Sequence, residues 1–293
     1  MEREHASTPE AATAAIGEPE LIDLLHLDRA RVISSWLVGD VLVDPGPSSC
    51  MDRLLEALDG REPRVLALTH IHLDHAGATG SLLERFPHAR AWVHERGAPH
   101  LLDPTKLLAS ASRLYGERME TLWGEVLPVP AERVDVLRGG EIVEGFRVAY
   151  TPGHASHHLA YLHEPSGYAF VGDVAGVRVG AGPVLAPTPP PDIDLPAWRR
   201  SLEVIQGWHP RMLVPTHFGS YGDADEQIEA LREELARVEA LASELDEAGF
   251  VAAMRRAFEA APGAREAASY AQALPPGQSY HGLARFLARR DAT

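Results

Sequence analysis

His70-Ile71-His72-Leu73-Asp74-His75 sets four potential metal ligands within six residues, directly after the apolar run Arg64-Val65-Leu66-Ala67-Leu68-Thr69. That run has no turn former and reads as a buried strand. The small residues Ala76, Gly77 and Ala78 then open a helix expected to reach Phe86. The ligands therefore stand at the C-terminal end of a strand, where a rigid element delivers side chains into a cleft. Alternation sends His70 and His72 to one side, and Asp74 and His75, in the turn beyond, reach a second point. Four ligands crowd one ion but suit two neighbouring ions.

The rest of the chain supplies partners of matching type. His154 follows Phe146-Arg-Val-Ala-Tyr-Thr-Pro-Gly, Asp173 ends Tyr168-Ala-Phe-Val-Gly, and His217 ends Met212-Leu-Val-Pro-Thr. Each segment reads as a strand, with Pro or Gly nearby to let the backbone turn sharply. With 15 His in the chain some fall together by chance. An ordered set of imidazoles and carboxylates is nevertheless what Zn or Fe sites require. Near His154, His157 reads as a donor to a ligand, and His158 and His163 as ordinary strand residues with no metal role.

HxHxDH followed by His, Asp and His resembles the metallo-β-lactamase fold superfamily, and the match covers roughly Leu21 to Tyr221. The resemblance implies an αββα four-layer sandwich of two face-to-face sheets with helices outside. It implies that His70, His72 and His154 hold a first divalent metal ion and Asp74, His75 and His217 a second, with Asp173 bridging. Zn is the favoured metal, and Fe or Mn also suits the mixed N/O set. The implied chemistry is attack by a metal-bridging hydroxide on an ester, thioester, lactone or similar bond of a small molecule, with Asp74 orienting the hydroxide. Asp44, after an earlier strand, is expected behind the metal site, or else to serve as a turn former.

The ligand pattern is closest to the glyoxalase II branch of thioesterases. After Asp173, however, the chain reads Val-Ala-Gly-Val-Arg178 and lacks that branch's Gly-Cys-Gly-Arg element. The resemblance therefore leaves glutathione recognition open. A mononuclear iron sulfur (persulfide) dioxygenase using His70-, His154- and Asp173-like positions is the alternative. A phosphodiesterase or nuclease ranks below it, because acidic residues outnumber basic ones 42 to 27 and the formal charge is −15. Such a field repels phosphate backbones, so no nucleic acid is expected as a partner.

The chain's 293 residues and 45% hydrophobic content suit one compact enzyme. Cys50, the single cysteine, excludes an intrachain disulfide and reads as a small buried hydrophobe rather than a nucleophile. No signal-peptide pattern and no apolar run of about 18 residues is present, so a cytoplasmic protein without membrane contact is expected.

Three regions follow along the chain. Residues 1–19 read as a loose tail, 20–222 as the catalytic domain, and 223–293 as a helical extension packed on it. Expected strands are Leu21–Leu27, Arg31–Val38 and Val41–Val43, the last two joined by a tight turn at Gly39-Asp40. After the motif come Arg90–His94, a helix over Lys106–Tyr115, and a second set of strands from Val134 to Val171. The Pro-rich stretch 181–191 reads as a stiff loop beside the site. Ile228, Leu231, Leu235, Val238, Leu241 and Leu245 form one apolar helix face. With two more helices, Phe250–Phe258 and His281–Arg290, they make either a cap or a dimer arm, and the second alternative would make the protein a homodimer. Tyr221 is the first candidate to hold a substrate oxygen, with Arg178 and His281 as further donors to an anionic substrate.

Overall fold

The structure, a computed structural model, describes residues 17–292. Most of the tail expected over residues 1–19 lies outside them.

Two sheets face each other. The first has six strands in sequential order: β1 (Glu20–Asp23), β2 (Ser34–Val38), β3 (Val41–Val43), β4 (Val65–Ala67), β5 (Arg90–His94) and β6 (Val134–Leu137). β1 to β3 pair antiparallel and β3 to β6 parallel. The second has five strands ordered β11 (Met212–Pro215), β10 (Tyr168–Gly172), β9 (Leu159–His163), β8 (Phe146–Tyr150) and β7 (Ile142–Val143). β6, expected in the second set, belongs to the first sheet because it pairs with β5 from Ala91↔Val134 to His94↔Leu137.

Trp36, Val43, Val65 and Trp92 from the first sheet pack on Phe146, Tyr161, Phe170 and Val214 from the second, forming the core between sheets. The outer face of the first sheet is covered by α1 (Met51–Leu58), α3 (Thr79–Arg85) and α4 (Ala98–Leu102) through Leu54, Leu82 and Leu101. The outer face of the second is covered by α7 (Leu195–Gln206), α8 (Ala224–Glu244) and α9 (Glu247–Phe258). This is the expected αββα sandwich.

Several boundaries differ from the sequence reading, for physical reasons. The expected strand Leu21–Leu27 stops at Asp23; a 3-10 turn at His26–Asp28 follows, with Leu25, Leu27 and Asp28 in the left-handed region. The strand before the motif ends at Ala67; Leu68 N still donates to Trp92 O (3.0 Å), and from Thr69 the backbone turns to other partners. Thr69 N donates to Asp44 Oδ1 (2.8 Å), and Thr69 O accepts from Leu159 N (2.7 Å). Asp74 and His75 lie in a one-turn helix, α2 (Leu73–Ala76), not in an open turn.

The helix over α5 (Thr105–Tyr115) agrees with the apolar period and is followed by the short α6 (Met119–Trp123). α7 escaped the sequence reading, although Asp194 caps it by accepting from Ala197 N and Pro196 stands in its first turn. That pairing is an ordinary helix start signal. Among the described residues four helices follow His217, one more than expected: α8, α9, α10 (Ala264–Ala273) and α11 (Pro276–Arg290). α10 is mostly Ala and polar residues, so it shows no period of large apolar side chains. Leu231, Leu235, Phe250, Met254 and Leu283 of this extension share one core with Val171, Trp198 and Leu202.

Candidate metal centre

The ligand-bearing loops leave the C-terminal ends of β4, β10 and β11 and the loop after β8, all at one edge of the sandwich. Gly172 at the end of β10 sits at φ +48°, and a Cβ there would stand 2.7 Å from His158 Nε2 and run into Thr69 Oγ1. The close approach of the two sheets to Asp173 therefore requires glycine.

The seven predicted ligands converge. His70 Nε2 and His154 Nε2 each lie 3.0 Å from His72 Nδ1. Asp74 Oδ2 lies 3.4 Å from His217 Nε2 and 3.9 Å from His75 Nε2. Asp173 stands between the two groups: Oδ2 is 3.3 Å from His154 Nε2, and Oδ1 is 3.4 Å from His75 Nε2 and 3.5 Å from His217 Nε2. His70, His72 and His154 form one cluster able to hold a cation, and Asp74, His75 and His217 form another.

Four of the imidazoles are oriented by the nitrogen that faces away. His154 Nδ1 donates to Pro187 O (2.8 Å) and His217 Nδ1 to Val32 O (2.6 Å). His75 Nδ1 donates to Asp44 Oδ2 (2.9 Å). Thr69 Oγ1 donates to Asp44 Oδ2 (2.7 Å), which leaves its lone pair for His70 Nδ1 (3.1 Å). In each case the outward proton fixes the tautomer and leaves Nε2 facing inward. Asp44 also accepts from Thr216 Oγ1 (2.7 Å), so this buried carboxylate ties β3, β4 and β11 to the centre.

Burial, then the neighbouring imidazoles, holds His70 well below the ordinary histidine range, and the same causes hold His72 at about 4. His154 is also lowered, first by burial. All three are neutral near pH 7, with lone pairs available for a cation. In the second group burial lowers His75 and His217, but the carboxylates of Asp173 and Asp74 outweigh it and raise both. Burial pushes Asp173 up, yet His217, His75 and His154 pull it well below the carboxylate range.

The donor set fits two metal ions. Buried His75 Nε2 and Asp173 Oδ1 have no hydrogen-bond partner, an arrangement that is costly unless something else satisfies them. They stand 3.4 Å apart and, with His70, make a third donor group that overlaps the other two, and such nitrogen and oxygen donors suit a divalent cation.

Other expected site residues fall elsewhere. The Tyr221 hydroxyl donates to Arg178 O (2.5 Å) and also reaches Phe218 O. The Arg178 guanidinium lies 4.3 Å over the Tyr221 ring and pairs with Asp223 (2.9 Å). Because Arg178 N also donates to His217 O (2.7 Å), this pair braces the His217 loop and does not hold a substrate oxygen. His281 is exposed and faces Glu247 at 3.5 Å. None of these three lines the cavity beside the metal ligands. His157 Nδ1 accepts weakly from Ile71 N (3.5 Å) and is not a donor to a ligand.

His158 lies in the loop ahead of β9, and its role was not foreseen. Its Nδ1 donates to Thr151 Oγ1 (2.9 Å), and its Nε2 accepts from Asp173 N (3.3 Å), positioning that carboxylate. Its HxxxH relation to His154 was the available signal. His163 lies in β9, with Nδ1 against Ser166 Oγ (2.7 Å). Cys50 is buried, and its thiol is pushed up to about 11 by burial, consistent with a packing role.

A cavity of about 310 Å³ opens in front of His72, Asp74 and Asp173. Its roof comes from α5, α6, the Pro-rich loop and the α10–α11 junction. The His26 ring stacks on Trp123 at 5.5 Å and donates from Nε2 to Leu122 O (2.9 Å). Gln272 of α10 donates to His26 Nδ1 (3.0 Å) and His26 O (2.8 Å), so the left-handed turn at His26 latches α6 to α10.

Residues 28–217 match the family model of the metallo-beta-lactamase superfamily, and the chain belongs to that superfamily. Metallo-beta-lactamase fold-containing protein ST1585 of Sulfurisphaera tokodaii is 30% identical over 188 residues, 61% of this chain and 68% of its own. The solved structure of ST1585, an archaeal member, covers 90% of this chain and 97% of its own at 23% identity, with a TM-score of 0.67. That likeness shows the shared fold. A hydroxyacylglutathione hydrolase of Aeromonas hydrophila is 30% identical over 162 residues, 53% of this chain. This chain spans about half the length of that hydrolase. TTHA1623, solved in a di-iron-bound form, matches 65% of this chain and 89% of its own at 28% identity and a TM-score of 0.50. Among the described residues no helix is long and apolar enough to cross a membrane.

Proposed function

We propose that this chain is a dinuclear metal-dependent hydrolase acting on an ester, thioester, lactone or similar bond of a small molecule. The observation that carries the reading is Asp173, whose two oxygens face two separate donor groups at 3.3 to 3.5 Å. The hydroxyacylglutathione hydrolases among the relatives support acyl transfer to water as the reaction class. His70, His72 and His154 would hold one ion and Asp74, His75 and His217 the other, with Asp173 shared. Zn is the metal we favour; the di-iron form of TTHA1623 keeps iron as the competitor. Two divalent cations there would supply Lewis acidity and bring the pKa of water towards neutrality.

The chain's own residues supply the rest. His72, Asp74 and Asp173 face the cavity, so a substrate carbonyl meets the centre from that side. Asp74, whose side chain is 23% exposed, would orient the attacking water through its carboxylate. The acyl–oxygen or acyl–sulfur bond breaks, the water oxygen ends on the carbonyl carbon, and a proton ends on the leaving group. The roof limits bulk water at the reacting carbonyl.

A mononuclear iron dioxygenase would need only one ion, and the complete second group favours two. Elemental analysis of purified protein, combined with ester, thioester, lactone and phosphodiester substrates and with oxygen uptake on a persulfide, tests the proposal. Hydrolysis that scales with the second equivalent of metal supports it. Oxygen uptake with one iron per chain would replace it with the dioxygenase.

A further inference from the structure

The cavity lining combines two chemistries. Part of it is the ligand set His72, Asp74 and Asp173. Another part is an apolar wall of Leu107, Ala111 and Leu114 of α5, Trp123 of α6, and Leu274 just after α10. Two polar groups beside this wall are engaged: the Tyr115 hydroxyl donates to Gln278 Oε1 (3.3 Å), and both ring nitrogens of His26 have partners; Trp123 Nε1 is buried with no hydrogen-bond partner and is the wall's one open donor among the named residues. Arg118, exposed, is the one arginine or lysine among the described residues lining the cavity. A carrier bearing several carboxylates would call for a cluster of cations there.

Leu114 strengthens the point. It is a large apolar side chain left 38% exposed, and it lines the cavity instead of packing in a core. Exposed apolar surface gathered in a concave site marks a ligand contact. A cavity of about 310 Å³ is at the small end of the range for small-molecule sites.

We propose that this wall receives an uncharged apolar acyl arm, so that the substrates are small acyl esters, thioesters or lactones whose carbonyl sits at the metal ligands. The identity of the cleaved bond rests on the hydrolase reading above; the preference for an apolar arm rests on the cavity wall alone. A charged carrier group stays outside the cavity, at its mouth.

Calorimetric titration of the metal-loaded, full-length protein with straight-chain methyl ketones, from 2-pentanone to 2-undecanone, tests the inference without turnover. Kd should fall about fourfold per added methylene until the cavity is filled, and then level off. Leu114→Glu, at an exposed helix position, should weaken the longer ketones by about tenfold or more while the shortest is little changed. Kd indifferent to chain length, or Leu114→Glu binding the long ketones as tightly as the parent, would overturn the inference. Hydrolysis of a matched ester series is read separately. Turnover together with length-independent ketone binding leaves the hydrolase and removes the acyl-arm site. Length-dependent binding without turnover on any ester, thioester or lactone supports the site and removes the hydrolase.

Discussion

The floor of the cavity is a set of imidazoles and carboxylates, and four of the imidazoles are tied from behind to Asp44, Thr69 or a main-chain carbonyl. Its roof is a set of mostly buried apolar side chains on short helices, with Leu107 half-buried and Leu114 exposed, latched through His26 and Gln272. In the floor each side chain is fixed by directional bonds in a water-poor site, so loss of one group disturbs its neighbours. In the roof the apolar side chains make non-directional contacts, so substitution of an exposed one such as Leu114 should change what fits with little effect on the rest. On the proposed reading, reactivity belongs to the floor and selectivity to the roof.

The largest effect expected from this contrast is at Asp173. Asp173→Ala removes the carboxylate shared by both groups, and hydrolysis should fall by about a hundredfold or more with metal content below two per chain. Near-normal turnover with measured metal content would place the chemistry elsewhere.

Asp44→Asn keeps the volume but loses the charge behind His75. Affinity at the Asp74, His75 and His217 group should drop by about 10- to 100-fold, with the His70, His72 and His154 group less affected. Equal loss at both groups, followed by competition with a chelator, would show that Asp44 supports the whole loop cluster rather than one ligand.

The second group should also bind cations more weakly in acid. His75 and His217 have raised pKa values, so they keep their protons to higher pH than free histidine, and a cation must displace them. Affinity is therefore full above those raised values and falls as pH drops through them, by about tenfold per pH unit for each displaced proton. The neutral first group should hold its ion further into acid. Metal titrations between pH 5 and 8 that show parallel loss at both groups would erase the distinction.

The smallest expected effect belongs to the roof. Leu114→Glu should keep both metals and change unfolding stability by no more than about 0.5 kcal/mol. A large drop in thermal stability would mean that Leu114 is part of the fold's packing after all.

The same contrast explains what could be read from sequence. The ligands were legible because HxHxDH and the later His, Asp and His stand next to strand ends, and chemistry limits which residue types can serve. Asp44 was legible only through the family resemblance, with a turn-forming role equally open, and the structure shows it behind His75. Tyr221 and Arg178 were misassigned because proximity in sequence to His217 does not reveal direction: their polar atoms turn to main-chain carbonyls and to Asp223. His158 was passed over because a buried imidazole that supports an amide looks like any core histidine. The roof was illegible, since Leu107, Leu114 and Leu274 look like packing residues and α10 has no large apolar period. Only the fold brings α5 and α10 over the same ligands.

The most direct test of the account is the metal stoichiometry of the centre, measured by elemental analysis of the purified chain and by titration of the metal-free protein. Two ions per chain are predicted, with the second equivalent required for hydrolysis and lost selectively in Asp44→Asn. A single tightly bound ion, with no second uptake on titration and full activity, would contradict it.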